Sequence, residues 1–575
     1  MRDAVDAHAS GLEGQGDAPV LSSITCARLS VNKLTLRSMA CLRALVQTLQ
    51  PGAFFPRLRS LRLILHEGDV TTEDAAGYQA IANAAPWLTQ LSLRPPASAA
   101  VLPQTMAVLL SACSKLEDLA VHAHASLSWM PHVSSLVDVS ALAAGPQLLH
   151  LRLTNCSSLT NLAPLSALVD LQSLDISGCS SVSDLMPLTA LVKLQSLDIN
   201  LCIGVSNLAP LAAMVNLQSL IMRQCHNVSG LAPLAAMANL RKLNVANCGV
   251  SDLAPLGALA NLQTLDLSGS YGLSDLAPLS ALVRLQSLDT SKCVEVSDLV
   301  PLGAQVNLQS LDISRCDSVS DLAPLAAMVN LRILKVDCGE MSDNAALKAV
   351  SDLAPLGALV NLRSLNLSDC TGVSDLAPLA TMVKLQSLDI RCCNGESDLA
   401  PLRAMLMLER LFMCDCESVS DLAPIAALVN LRSLRVGCFE VSDDAPLKAV
   451  SGLSPLAALV KMQSLTLSNC SGVSDVAPLG AMVDMRILHI SGCKASDLAP
   501  LAAMGNLHTL SIGVCEGVSD LSPLAAMVKM QSLTISNCVC VSDVAPLGAM
   551  LDMQSLTITG CNVSDVAPLP AMGNL

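Results

Sequence analysis

Leu171-Gln-Ser-Leu174-Asp-Ile176-Ser-Gly-Cys179-Ser-Ser-Val182-Ser-Asp-Leu185-Met-Pro187-Leu188-Thr-Ala-Leu191 is the clearest copy of a phrase that recurs eighteen times from Leu148 onward in this chain of 575 residues. A period of 22 or 23 residues is too short for a domain and too long for a helical heptad, so each copy reads as one coil of a solenoid. Leu171, Leu174 and Ile176 alternate as a short strand does, with Ser173, Asp175 and Ser177 facing the other way. Cys179 returns the chain inward, Val182 and Leu185 fill the core, Asp184 caps the turn holding Pro187, and Leu188 and Leu191 close the coil. Burying an aliphatic side chain contributes about 1.5–3 kcal/mol, but ordering each residue costs about 1–2 kcal/mol. One coil therefore cannot fold alone, and stacking must supply the balance.

Composition carries one trap. A hydrophobic content of 52% and a mean hydropathy of +0.53 would suit a membrane protein, yet polar residues such as Asp184, Lys193, Gln195 and Asp198 interrupt every apolar run. No membrane partner is expected. The opening Met1-Arg-Asp-Ala-Val-Asp-Ala-His lacks the apolar stretch of a secretory signal, so the expected location is cytoplasmic. A net charge of −15 repels phosphate backbones, which argues against nucleic acid as a partner.

The 23 cysteines resemble a disulfide framework until they are placed on the repeat. Seventeen fall in one slot, from Cys156 to Cys561, with Ser270 in the remaining slot. One cysteine per coil and an odd total describe a ladder of reduced, buried thiols that act as small hydrophobes with a weak donor.

Four segments follow along the chain. Residues 1–24 carry no periodic pattern and read as a flexible tail, and residues 25–57 read as a cap containing a short helix from Ser38 to Leu49. Residues 58–147 hold three looser copies, Leu58-x-x-Leu61-x-Leu63, Leu88-x-x-Leu91-x-Leu93 and Leu116-x-x-Leu119-x-Val121, whose extra length reads as helix at 73–85 and 104–112. Residues 148–575 are the regular array, with inserts at 342–350 and 442–450 that are displaced by 100 residues and mark a duplicated block of four coils. The array stops partway into a coil at Gly573-Asn-Leu575, an uncapped edge suited to end-to-end contact.

The pattern Leu-x-x-Leu-x-Leu-x-x-Cys from Leu171 to Cys179 resembles the leucine-rich repeat family, with Cys where many members carry Asn. Val250-Ser-Asp-Leu-Ala-Pro-Leu256 looks like the short class found in internalins and in phosphatase-regulatory repeats. Leu110-Ser-Ala-Cys113-Ser-Lys-Leu116-Glu-Asp-Leu119 is similar to the cysteine-containing repeats of F-box substrate receptors. The resemblance implies an α/β solenoid: a horseshoe with a continuous parallel sheet on its concave face, short 3₁₀ turns on the convex face, and a concave surface that binds proteins.

Chemistry is sparse. The chain has no phosphate-binding glycine loop, and no cofactor is expected. His122-Ala-His124 near His132 and Cys113, and Cys392-Cys393 beside Cys414-Asp-Cys416, are the only clusters that suggest metal or thiol chemistry, and no Ser or Cys has a unique base and orienting group. The copies differ most on the outward strand positions. Asp175, Asp198, Asp266, Asp289, Asp312 and Asp389 share one position and form an acidic stripe suited to a basic ligand, until Thr466, Ser511, Thr534 and Thr557 take over. Between the two zones Lys335, Arg391, Arg410, Phe412 and Arg435 fall on outward positions and have the composition of an interaction anchor. The expected function is a non-catalytic scaffold or adaptor that binds a protein partner on the concave sheet. The alternatives are substrate recognition for a ubiquitin ligase, phosphatase regulation, or a metal- or thiol-dependent enzyme.

Overall fold

The computed structural model describes residues 33–36, 59–64, 88–94, 110, 113, 115–122, 139–145, 147–565 apart from 229, 340–349, 394–397, 415–418, 420, 438–449 and 451, and residue 569. The chain divides into two compact units, Met1–Ser229 with Pro233–Lys242, and Gly230–Ala232 with Leu243–Leu575.

The first unit carries parallel strands Lys33–Leu36, Ser60–Ile64, Gln90–Arg94, Asp118–His122, His150–Thr154, Ser173–Asp175, Ser196–Asp198 and Ser219–Ile221, each paired in register with the next. The second unit continues the same design from Thr264–Asp266 to Ser555–Thr559. Register follows from the side-chain period of two. A slip by one residue would turn Leu174 and its equivalents toward solvent.

Each regular coil returns through a 3₁₀ turn, such as Met186–Ala190, and the turns of successive coils pack on one another. Proline stands in the first turn, where its missing N–H costs nothing. Asp184 Oδ1 accepts the Met186 N–H at 2.8 Å, and Asp252, Asp321 and Asp543 do the same in their coils. In the clearest copy all eight inward positions, Leu171, Leu174, Ile176, Cys179, Val182, Leu185, Leu188 and Leu191, are at most 1% exposed. A second ladder runs over the turns. Asn216 Nδ2 donates to the Val192 carbonyl of the preceding coil at 2.8 Å, and Asn239, Asn307 and Asn330 repeat the bond.

The three looser copies are strands in register with the array. Segment 25–57 also contributes the strand Lys33–Leu36, paired with Ser60–Leu63. Val31 stands where later copies have their first leucine, so Val31-x-x-Leu34-x-Leu36 is the same phrase with one aliphatic exchanged. The helix expected at Ser38–Leu49 and the one at 73–85 lie outside the described residues, as do the tail, most of both inserts and the end of the array; of segment 104–112 only Leu110 is described, and it is helical.

Candidate functional site

The acidic row is built into the backbone. Asp175 Oδ1 accepts the Ser177 N–H at 2.9 Å, and Asp198, Asp266, Asp289 and Asp312 hold Asn200, Ser268, Ser291 and Ser314 in the same way. Asn244 and Asn366 make the bond with an amide oxygen, to Ala246 and Ser368. A side chain that takes the N–H two residues on replaces a ladder hydrogen bond with a local turn. Coils carrying Asp or Asn here accordingly stop their strands after three residues, as in Ser287–Asp289. Coils with Thr466, His489, Ser511, Thr534 or Thr557 at this position run five-residue strands, such as Ser532–Ser536. Ile221 keeps a three-residue strand without such an acceptor, which nothing in the structure explains. After Lys335 the acceptor is Asp337, which holds the Gly339 N–H at 2.9 Å.

The cysteine ladder answers this exchange. Where the five-residue strands pair, register extends to residues such as Ile512↔Ile535 and Gly513↔Ser536. In the short-strand coils the local turn diverts one N–H, and the thiol of the next coil takes the carbonyl that this leaves. Cys179 Sγ donates to Leu153 O at 3.0 Å, Cys202 to Ile176 O at 3.2 Å and Cys316 to Thr290 O at 3.1 Å, and Cys225 reaches Ile199 O at 3.2 Å although Ile221 forms no such turn. In the long-strand coils the thiol finds its shorter contact in its own coil, as Cys470 does to Ser468 O at 3.6 Å and Cys515 to Gly513 O at 3.2 Å. Cys538 and Cys561 also lie 3.9 Å from carbonyls of the preceding coil, and Cys248, in a short-strand coil, contacts its own Ala246 O at 3.8 Å. Burial pushes the thiols of Cys293 and Cys316 up to about 12, so they are protonated donors at neutral pH. Ser270, in the slot without cysteine, is fully buried with no hydrogen-bond partner for its hydroxyl.

The residue before the ladder position is left-handed in most coils. Gly178, Gly269, Gly492 and Gly560 hold it without strain, and a Cβ on any of them would collide with the amide oxygen of Asn155, Asn247, Asn469 or Asn537 in the coil before. Val514, with φ 50, takes the same conformation at a cost that a β-branched residue cannot relieve.

Asp266, Asp289 and Asp312 pair directly across neighbouring strands, and Lys335 follows next in the row. Burial, with the Asp312 and Asp266 charges behind it, raises the Asp289 carboxyl above its ordinary value, and burial with Asp175 does the same for Asp198. Lys335 Nζ meets Asp312 at 2.9 Å, and that bond raises the ammonium. Arg391 lies outside its strand, Ser387–Asp389. It folds back onto Asp389 in the turn, with Nε at 2.9 and 3.0 Å from the two oxygens and a third contact at 2.9 Å. The outward strand position assigned to Arg391 from sequence is thus corrected: the Asp389 turn ends the strand before it.

Phe412 and Arg435 are register partners in the row Asp389↔Phe412↔Arg435↔Thr466↔His489. Arg410 lies two residues before Phe412 on the same strand and is exposed, while Phe412 and Arg435 are half-buried. His489 was overlooked in the sequence because Thr and Ser flank it in the row. Burial and the Arg435 charge lower its imidazole below the ordinary value.

Of the other candidates, His122 Nδ1 is 2.9 Å from Thr154 Oγ1, and Cys113 is buried with its thiol raised to about 11. His124 and His132 lie outside the described residues. The Cys392 N–H donates to Cys414 O at 2.8 Å, and its thiol hydrogen-bonds to Asp369. Among the described residues no three His, Cys, Asp or Glu side chains are grouped to hold a metal. A shallow groove lined by the amides of Gln172, Gln195 and Gln218 with Lys193 and Arg241 went unread in the sequence because its residues repeat without distinction. So did exposed valines at one slot of many coils, such as Val192 and Val215 in the first unit and Val283 and Val306 in the second. No helix among the described residues is long and apolar enough to cross a membrane.

Residues 201–401 match the family described as leucine-rich repeat region. No curated protein matches the chain. Among solved structures it resembles TLR13 in its complex with ssRNA13, at 16% identity over 90% of this chain and 83% of that one, with a TM-score of 0.50. It also resembles an internalin of Listeria monocytogenes, at 22% identity over 64% and 87% with a TM-score of 0.40. The functional domain of InlJ from the same organism, which includes a cysteine ladder, matches at 16% identity over 64% and 74% with a TM-score of 0.41. With one buried leucine phrase per coil, parallel strands in register and a cysteine in the ladder slot of most coils, this chain has the fold of a leucine-rich repeat protein.

Proposed function

We propose that the protein is a non-catalytic scaffold or adaptor, cytoplasmic, which binds a protein partner on the open face of its sheet around Arg410, Phe412 and Arg435. The observation that supports this is the row itself. At Phe412 and Arg435 it passes from carboxylates committed to turns to an aromatic ring beside a guanidinium, with the exposed Arg410 next to them. An aromatic with arginines is the residue set that dominates binding energy at protein interfaces. Lys335 and Arg391 contribute less, because Asp312 and Asp389 already hold their charges. The leucine-rich repeat fold also occurs in a protein solved with single-stranded RNA, but a net charge of −15 and the acidic row favour a protein ligand over a phosphate backbone.

Replacing Phe412 and Arg410 together by Ala is expected to weaken capture of the partner by about 2–4 kcal/mol, roughly 30-fold or more, with an unchanged circular dichroism spectrum. Thr557→Ala serves as a control on the same face. Quantitative affinity purification with the three proteins, together with a single-stranded RNA binding assay, provides the check. Capture that is equal for all three, or RNA binding that persists at 0.15 M salt, would refute the reading.

A further inference from the structure

Among the described residues one rung of the thiol ladder, Cys338, is out of step, and Cys438, which follows Val436 by two, repeats its spacing 100 residues on. In the coils around it the ladder cysteine follows the last inward strand residue by three, as Cys316 follows Ile313 and Cys370 follows Leu367, but Cys338 follows Val336 by two. The backbone confirms the shift. The Cys338 N–H donates to Ser368 O at 3.0 Å, the bond that the left-handed residue before the cysteine makes elsewhere, as Leu201 does to Arg223 O and Lys292 to Ser314 O. Cys338 is thereby displaced toward the next coil, and its Sγ comes within 2.7 Å of Cys370 Sγ. A disulfide needs about 2.05 Å between sulfurs and Cα atoms about 5.5 Å apart. Neighbouring parallel strands stand about 4.8 Å apart, so little backbone movement separates the two states.

The two sulfurs differ in access and in charge. Cys338 is half-exposed and Cys370 is buried. The contact with the Cys370 sulfur holds Cys338 below its ordinary value against the opposing effect of burial, while the same contact and burial drive Cys370 up. A more acidic, accessible thiol beside a buried one is the arrangement of an attacking and a resolving cysteine. The pair also brackets the 32-residue spacing that contains the insert 342–350.

We propose that Cys338 and Cys370 are an oxidisable pair that closes into a disulfide across this insert when the protein meets a peroxide. The Cys338 thiolate attacks one peroxide oxygen, the O–O bond breaks, and a sulfenic acid forms with release of hydroxide. The Cys370 sulfur then attacks the sulfenyl sulfur and forms the S–S bond. The sulfenyl oxygen leaves as hydroxide and takes up a proton to become water. Two thiols lose two electrons in total, and one peroxide is reduced to two waters.

The test treats the reduced full-length Cys540→Ser protein, which lacks the exposed thiol at that position, with a small excess of hydrogen peroxide. Alkylation and peptide mapping by mass spectrometry follow. The expected product is a crosslink joining the Cys338 and Cys370 peptides, about tenfold or more abundant than any crosslink between Cys156 and Cys179 or between Cys470 and Cys493. A rise in the thermal midpoint of the oxidised protein, reversed by dithiothreitol, should accompany it. In Cys338→Ser, Cys370 is expected to stay reduced. Full alkylation of both cysteines after peroxide treatment would overturn the proposal. So would an equal yield at the other pairs, or a Cys370 crosslink to another rung that survives Cys338→Ser.

Discussion

The coils from Ser173 to Asp389 and those from Arg410 to Thr559 share their buried leucines yet handle their backbone differently. In most coils of the first set a carboxylate or amide takes one N–H out of the ladder, the strand stops after three residues, and a thiol reaches back to the preceding coil. In the second set the strand runs two residues further and the shorter thiol contact lies within its own coil. Outside the Ile221 coil, the side chain at this position thus goes with how strand and thiol divide the same hydrogen-bonding groups. What reads in the sequence as a binding stripe is first of all a device that sets strand length.

Removing a thiol should test this division most severely. Cys202→Ala leaves a cavity and an unpaired Ile176 carbonyl, with an expected cost of about 2–3 kcal/mol. Cys515→Ala leaves only the cavity, because its bond lies within its own coil, and should cost about 1 kcal/mol. Hydrogen–deuterium exchange of the flanking coils reads each loss locally, which suits an array that need not unfold in one step. Equal losses would break the comparison.

A gain is expected at the slot without cysteine. Ser270→Cys replaces a buried hydroxyl that has no partner with a thiol that tolerates the site, and should stabilise its coil by about 1 kcal/mol. Slower amide exchange around Leu267 and Leu273 is the measurement. Faster exchange there would show that the ladder slot discriminates less than the two coil types imply.

The smallest effects separate the turn-forming role of aspartate from its charge. Asp289→Ala loses the acceptor for the Ser291 N–H and should cost about 1 kcal/mol, while Thr534→Ala should stay within about 0.5 kcal/mol. Asp289→Asn keeps the acceptor, as Asn244 and Asn366 do, and removes repulsion from Asp266 and Asp312 worth about 0.2–1 kcal/mol. The Asp289 carboxyl titrates above its unfolded value, so the native state holds the extra proton between those two values. Stability is then lowered in full above the folded value and recovers as pH falls through it toward the ordinary carboxylate range. Urea midpoints measured from pH 7 down to that range should rise less steeply for Asp289→Asn than for the parent, and parallel curves would remove the repulsion from the account.

The repeat made the fold readable, because every inward position recurs and its period admits one arrangement. All eight inward residues of the Leu171–Leu191 copy are buried as their spacing requires. The earliest strand was hidden only because Val31 stands in a leucine slot. The site was less legible, since alternation assigns a face but not a hydrogen-bond partner. Asp175 and its equivalents face outward as expected, but their commitment to the N–H two residues on depends on where the strand ends, which alternation does not reveal. Arg391 was misplaced for the same reason. The displacement of Cys338 needed a comparison of cysteine spacing with strand spacing, and the two differ by one residue.

The asparagine that covers the following glycine makes coil order matter. Asn155 occupies the space above Gly178, Asn247 that above Gly269, Asn469 that above Gly492 and Asn537 that above Gly560. Each of these turns is tailored to its upstream neighbour. Excising Gly178's coil alone would bring Leu201, whose side chain has a different shape, against Asn155. Copy number in such an array therefore changes most smoothly when matched neighbours travel together, and the duplicated block of four coils is a gain of that size.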